Sequence, residues 1–518
     1  MKNKFSIAIL LLIKISFDIV ILTYPIEKID TLTLVDDTYL SLTIAKNIAD
    51  GKGLQYGKEQ VSGFQPLYVL VMVPVYLIIK DNIISPIYIA LIILALMDLF
   101  SIYVIFKLIK LFCKNDIVPV VVTFLYVITP ACIRTPLNGL ETPLSFFFLC
   151  LVFYFIAKFN NVILSQIKNF KYVFVGIILG FSYLARIDNV FLIIAALIFL
   201  ITKLFKEKQK TIFILNKIFV SLSGLLLIIL PWHIYLYAKT GDIYPVCGKS
   251  VRLQAYQYFS DYNVFNRIFI LFQKSIISIF TNYFLVLFLI ILFFLIIFLN
   301  KRKIRQRFFS SFSLPSVSLL VYMVLLFGAY TFYIPAYWHF ARYFFPLILH
   351  LLLLLALILD TVFSSIEQEN LKRTLVQSLI ILMLFVNVTR PGFYRLFFEK
   401  EVTRDGYMDI AIWANNNLKE GTRLGALQTG ALGYFANKLE VTNLDGVVNK
   451  SAYLAITDKN LMSYIKSDGI ELLLLWDINY KFIVDNSIDF KNSNLTLLKS
   501  PNEIKSWGYK WYLYRVNY

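Results

Sequence analysis

The segment 35-VDDTYLSLTIAKNIADGKGLQYG-57, continued by 61-VSGFQPLY-68, sets two adjacent carboxylates, Asp36 and Asp37, just past the first apolar run of a chain dominated by such runs. That first run, 5-FSIAILLLIKISFDIVILTY-24, matches the ~20 residues a bilayer core demands. It carries Lys14 and Asp18 and lacks a small-residue cleavage site, so it reads as a retained anchor, not a signal peptide. An acidic pair placed there marks a reaction centre at a membrane surface.

Comparable apolar runs recur to about residue 390, after which an ordinary polar mixture continues to Tyr518. With 518 residues, 59% hydrophobic, 16% charged and a mean hydropathy of +0.71, the chain lies outside the range of soluble domains. The expected fold is a polytopic α-helical membrane protein of about eleven crossings, with a C-terminal soluble α/β domain. The membrane domain is 1–390, including an outer loop 25–65 with the acidic pair, and the tail is 391–518. A net charge of +18 raises the question of nucleic acid, but the basic residues sit in short loops between apolar runs, and topology explains them. No nucleic acid is expected. Cys113, Cys132, Cys150 and Cys247 lie far apart, without the spacing of a zinc site or disulfide framework, and read as small core residues.

Orientation follows from 301-KRKIRQR-307, the strongest Lys/Arg loop, since such loops stay cytoplasmic. Counting outward, the loops with Lys107 to Lys114, Lys158 to Lys168, 203-KLFKEKQK-210 and 367-EQENLKR-373 are cytoplasmic together with the N-terminal end. The count requires the short, proline-containing run 66-PLYVLVMVPVYLII-79 to be re-entrant or to lie on the surface. Asp36 and Asp37, 134-RTPLNGLET-142, 186-RID-188, 245-PVCGKSVR-252, 337-YWHFAR-342 and the tail then share the non-cytoplasmic side of a plasma (inner) membrane. Ionisable residues gathered at membrane depth are costly and usually functional.

Each cluster has a chemical and a structural reading. Asp36 or Asp37 can act as general base toward an acceptor hydroxyl, or the two can hold a divalent cation; equally, Asp36 can cap a helix starting near Thr38 while Asp37 faces water. Lys249, Arg252, His339 and Arg342 form a basic set suited to phosphate on a lipid carrier, or to snorkelling toward membrane lipid headgroups. Glu141 can supply a further carboxylate or begin a helix, and Arg186 can pair with Asp188 and anchor a span end. His233 and His350 read as satisfied core or interface residues. No His/Cys/Glu spacing marks a metal site.

In the tail, 407-YMDIAIWANNNL-418 is amphipathic, 423-RLGAL-427 and 469-GIELLLLW-476 read as buried strands, 430-GALGYFANK-438 as a helix and 510-KWYLYRV-516 as an edge strand. The stretch "TGALG" lacks the lysine and spacing of a phosphate loop, so its glycines are assigned to turns and packing.

These residues carry a resemblance. 36-DDTYLSLTIAKNIADGKGLQYG-57 with 62-SGFQPLY-68, 139-GLETPL-144, 184-LARIDNVFL-192, 244-YPVCGKSV-251 and 423-RLGALQTGALGYFANKLEVTNLDGVVN-449 are similar, in the same order, to motifs of GT-C membrane glycosyltransferases. The branch most resembled includes the mycobacterial terminal arabinofuranosyltransferases. The resemblance implies helices around a lipid-donor cavity and an inverting hexosyl or pentosyl transfer from a polyprenyl-phosphate-linked sugar to a glycan, lipid or protein acceptor of the cell envelope. It carries the base role onto Asp36 or Asp37 and donor-phosphate contact onto Lys249, while Arg342 is added from its position. Ile187 stands where that family often has proline, and Val246-Cys247-Gly248 replaces its asparagine-containing turn.

The chemistry agrees with that mechanism. A lipid phosphate leaves readily, so a base for the acceptor and cations for the departing phosphate suffice. A hydrolase needs two carboxyls flanking the bond, which neighbours in sequence supply poorly, although Glu141 is a candidate second group. A flippase of lipid-linked sugars should show midplane charges between repeated halves, and no repeat is visible. A non-catalytic assembly subunit would tolerate loss of the acidic pair.

Overall fold

The computed structural model describes residues 2–299, 302–399, 406–499, 504–506 and 508–518. Among them, eight helices are long and apolar enough to cross a membrane: Phe5–Leu22, Ser85–Phe112, Thr142–Asn160, Ile187–Lys206, Thr211–Thr240, Val264–Leu299, Leu314–Tyr333 and Glu369–Val388. Two bent pairs, Ile117–Ile128 with Pro130–Leu137 and Tyr337–Tyr343 with Leu347–Phe363, raise the number to ten. The protein is a multi-pass membrane protein. The 17-residue helix Asn169–Ala185 would complete the expected eleven. It lies tight against Thr211–Thr240 because glycines line the contact: a Cβ on Gly176 would meet the Ser221 carbonyl oxygen at 2.0 Å, and one on Gly224 the Val173 carbonyl oxygen at 2.2 Å.

Lipid explains the side chains these helices turn outward, such as Phe219, Phe269 and Phe385, which would be misplaced in water. Inside, Lys14 Nζ lies 2.6 Å from Asp18 and 3.0 Å from Asp98, which also accepts the Tyr126 hydroxyl at 2.6 Å. All four groups are buried, so the ionisable pair noted in the first run locks the anchor helix to its neighbours. The helix Pro66–Ile78, 13 residues with Pro74 inside it, spans about 20 Å at 1.5 Å per residue and is shorter than a ~30 Å bilayer core. The basic stretch 301–307 opens the helix Arg302–Ser310, with Lys301 outside the described residues.

On the face that carries Asp36, a hairpin of β1 (Gln55–Tyr56) and β2 (Glu59–Gln60) precedes Pro66–Ile78. The C-terminal region forms a mixed sheet of β3 (Arg423–Ala426), β4 (Glu440–Asn443), β5 (Leu472–Trp476), β6 (Leu495–Lys499), β7 (Lys505–Ser506) and β8 (Tyr509–Val516). Its order is β4-β3-β5-β8-β6, with β3 parallel to β4 and β5, and β8 antiparallel to β5 and β6. The terminal strand is therefore interior, not at the edge as its alternation suggested. Trp511 and Leu513 bury one of its faces, Val516 packs on the other, and the largely exposed β6 supplies the edge. Alternation reports one buried face and is silent on whether a strand has one neighbour or two.

The loop 25–65 binds this region by supplying acceptors to helix starts. Asp30, buried beside the Tyr39 hydroxyl (2.6 Å), accepts the Met408 N–H at 2.8 Å at the head of the helix Met408–Asn417. Asp36 accepts the Gly430 and Ala431 N–H groups at 2.8 and 2.9 Å at the head of Gly430–Phe435. The first N–H groups of a helix have no partner within it, so each carboxylate caps a helix from a distant part of the chain. The Tyr56 hydroxyl adds a bond to the Thr429 carbonyl.

Candidate active site

Asp36 begins the helix Asp36–Ala49 behind the extended Val35, so it is the first helical residue and does not cap its own helix. Helical residues one apart diverge by about 100°. Asp36 therefore turns to the C-terminal region, and Asp37 turns to the helix ends around Arg342. Gly430 permits this: a Cβ there would lie 1.9 Å from the Asp36 carbonyl oxygen. The glycines of "TGALG" thus serve close packing, and the anion at that short helix is a side chain of the same protein.

Asp37 Oδ2 lies 3.0 Å from Arg342 Nη1, and 40% of the Asp37 side chain stays exposed. Arg342 Nε is buried and makes no hydrogen bond among the described residues. Burial pushes the Asp37 carboxyl up, but the Arg342 guanidinium and His339 outweigh it and hold the group below the usual carboxylate range. Asp36 goes the other way. Burial, with the charges of Asp37 and Asp30, exceeds the help of its two N–H donors and raises it to about 7. The dyad is split into an ionised carboxylate facing a cation and a shielded one holding a helix.

Tyr343 organises the cations. Its ring lies 5.4 Å from the Arg342 guanidinium carbon, 5.7 Å from that of Arg186 and 5.5 Å from the His339 ring, and stacks on Tyr330 at 4.0 Å. Arg186 donates to Glu141 at 2.8 Å, to Asp188 at 3.1 Å and to the Tyr330 hydroxyl at 3.0 Å. The anticipated pairing with Asp188 is present, extended to Glu141. That carboxylate stands before the helix Thr142–Asn160 without capping it, since it is taken up by Arg186. The loop holding it is fixed by the Thr38 hydroxyl on the Asn138 carbonyl (2.7 Å) and the Tyr68 hydroxyl on that of Gly139 (2.7 Å).

Asp37, His339, Arg342, Arg186 and Glu141 are therefore brought together. Cys247, at the start of the helix Val246–Tyr258, also belongs here: burial raises its thiol to about 11, and the charges of Asp37, Arg342 and Glu141 reach it. Lys249, two residues on, is exposed and forms no ion pair or hydrogen bond among the described residues. Arg252 is drawn aside, its guanidinium carbon 4.2 Å from the Tyr333 ring centre and 5.5 Å from that of Tyr256. His233 is satisfied by the Ile243 carbonyl and the Tyr183 hydroxyl. The four cysteines are unpaired in disulfides.

Sequence reasoning missed Tyr330, Tyr343 and Asp445. Tyr343 directly follows the quoted 337-YWHFAR-342. Asp445, from the C-terminal region, feels the charges of Asp37 and Asp36 and is raised to about 7, chiefly by burial; its carbonyl accepts Gln254 at 2.8 Å and the Ser250 hydroxyl, so it also fastens the helix that carries Lys249.

A divalent cation between Asp36 and Asp37 does not fit these donors. Both Asp36 oxygens accept backbone N–H groups, and one Asp37 oxygen faces a guanidinium. Among the described residues no group of three His, Cys, Asp or Glu is placed to hold a metal.

Residues 395–514 match a domain of unknown function, DUF8728. No curated protein matches the chain. Among solved structures, the Archaeoglobus fulgidus oligosaccharyltransferase, crystallised with Zn and sulfate, superimposes at a TM-score of 0.59 and 14% identity over 97% of this chain and 72% of its own. The same organism's AglB, in complex with an inhibitory peptide and a dolichol-phosphate, gives 0.55 and 12% over 98% and 74%. ArnT from Cupriavidus metallidurans, bound to undecaprenyl phosphate, gives 0.56 and 11% over 97% of both chains. Over nearly its whole length the chain shares the fold of these structures, a GT-C-like fold.

Proposed function

We propose that this chain is an integral-membrane glycosyltransferase that moves a hexosyl or pentosyl unit from a polyprenyl-phosphate-linked donor to a hydroxyl of a cell-envelope acceptor. The observation that carries the reading is Asp37, half-exposed and ionised, beside Arg342, whose Nε has no partner among the described residues. The lipid phosphates bound by AglB and ArnT supply the matching donor chemistry.

Asp37 takes the proton of the acceptor hydroxyl as its oxygen bonds to the sugar's anomeric carbon. The carbon–oxygen bond to the carrier phosphate breaks, its electron pair stays on the phosphate, and a single displacement inverts the centre. Arg342, with Lys249 from the helix Val246–Tyr258, neutralises the departing phosphate. Glu141 is committed to Arg186 and so is poorly placed as the second carboxyl of a hydrolase. The site faces the non-cytoplasmic side, the C-terminal domain 391–518 covering a membrane domain 1–390.

A flippase reading draws no support from the charges of the first span, because Lys14 is held between Asp18 and Asp98 in a sealed cluster. The test offers purified protein a radiolabelled polyprenyl-phosphate sugar and an envelope-extract acceptor, with Asp37→Asn and Arg342→Gln as controls. Transfer by the wild type and its loss in both variants is expected. Transfer unchanged by Asp37→Asn refutes the base, and donor translocation across vesicles without transfer replaces the enzyme by a flippase.

A further inference from the structure

On the same outer face, away from the Arg342 cluster, a cavity of about 330 Å³ opens between the C-terminal end of the helix Asp36–Ala49, the hairpin β1–β2 and the β3–β4 edge of the C-terminal sheet. It falls at the lower end of the ~300–1,000 Å³ typical of small-ligand sites. Its walls mix polar side chains, Thr43, Asn47, Asn437 and Thr442 among them, with Tyr434, Leu439 and Val441, a combination suited to the hydroxyl edges and apolar ring faces of a saccharide.

The charges around it are unevenly used. Glu440 is paired with Lys58 at 2.6 Å and Arg423 at 3.1 Å, and Asp468 accepts the Thr442 hydroxyl. Lys46 and Lys52 make no ion pair or hydrogen bond among the described residues, and Lys46 is half-buried. A partly desolvated ammonium without a carboxylate partner calls for an anion from outside. Asp50 is the one lining carboxylate without a partner among the described residues, and it is exposed, so two free cations face one free anion.

The cavity is coupled to the reaction centre. Tyr56, in its wall, donates to the Thr429 carbonyl, and the next two N–H groups hold Asp36, the neighbour of Asp37. Lys46 follows Asp37 by nine residues on one helix, about 14 Å along its axis.

We infer that this cavity is a remote acceptor subsite that holds an acidic glycan, with Lys46 and Lys52 meeting its carboxylate or phosphate groups. The inference rests on the glycosyltransferase reading and adds the chemical class of the acceptor. A saccharide held there keeps a growing chain beside the base between transfers.

Full-length protein in detergent is titrated with galacturonate oligomers and with maltose oligomers of equal length, in the absence of donor. The acidic series binds and the neutral series does not; Lys46→Gln with Lys52→Gln weakens binding about tenfold, as expected for losing charge-assisted hydrogen bonds. Lys168→Gln, at a cytoplasmic loop, leaves binding unchanged and excludes general attraction to a basic protein. Unfolding temperature shows that the double variant is intact. Equal binding by wild type and double variant, or preference for the neutral series, overturns the subsite. Because no donor is present, binding that depends on Lys46 in a protein unable to transfer sugar would refute the enzyme and leave the site standing.

Discussion

Asp37 Oδ2 and Arg342 Nη1 lie 3.0 Å apart, so the base and the cation assigned to the donor phosphate neutralise each other. A phosphate arriving at Arg342 competes with Asp37, and its binding frees the carboxylate for the acceptor. Asp37→Asn is expected to lower single-turnover transfer by about 10²–10⁴-fold while donor binding stays equal or tightens. Loss of donor affinity in step with rate would instead assign Asp37 to binding.

Asp36 answers to a different assay. Its carboxylate caps Gly430–Phe435, and an amide there presents a donor to one of the two N–H groups, for about 1 kcal/mol of lost capping. Asp36→Asn is therefore expected to speed amide hydrogen exchange at Gly430 and Ala431 and to leave donor binding intact. Exchange unchanged there would remove its role as a clamp.

Which of two adjacent carboxylates meets Arg342 was not legible in the sequence. The segment around Asp36 and Asp37 pointed to an acidic cluster at a helix start. The choice between them depends on the helix starting at Asp36 and on Gly430, 394 positions away along the chain, packing against it. The basic set was readable as a group, yet aromatic rings divide it: Tyr343 gathers Arg186, His339 and Arg342, whereas Tyr333 holds Arg252 aside. Of the tail's strands, β4, β6 and β7 went unread, while β3, β5 and β8 were visible from their apolar or alternating runs. The place of β8 was not, because pairing partners are set by the order of the sheet.

The pH dependence of stability follows from Asp36 and Asp445, each raised from 3.8 to about 7 by burial. For a group whose folded pKa is raised, the contribution is fully present below its unfolded value and lost as pH rises through the folded one. The unfolding temperature is thus expected to fall from pH 5 to pH 8, and less steeply in Asp36→Asn. Asp37, held low, adds no such limb in this range. A melting temperature that rises over the interval would contradict the shielding assigned to Asp36 and Asp445.

Arg186 holds Glu141, Asp188 and Tyr330 with one planar fork while its guanidinium carbon lies over the Tyr343 ring at 5.7 Å. Arg186→Met strands two buried or half-buried carboxylates, a change that costs about 3–5 kcal/mol where a buried pair is broken. Arg186→Lys restores the charge but not the fork, since an ammonium is a point charge and cannot span three partners in one plane. Unfolding temperature in detergent is expected to fall in the order wild type, lysine, methionine, and transfer to fall in both variants, because Tyr343 positions His339 and Arg342 from the same cluster. Complete recovery of stability and transfer by lysine would reduce Arg186 to a counter-charge and leave the aromatic hub without a part in the site.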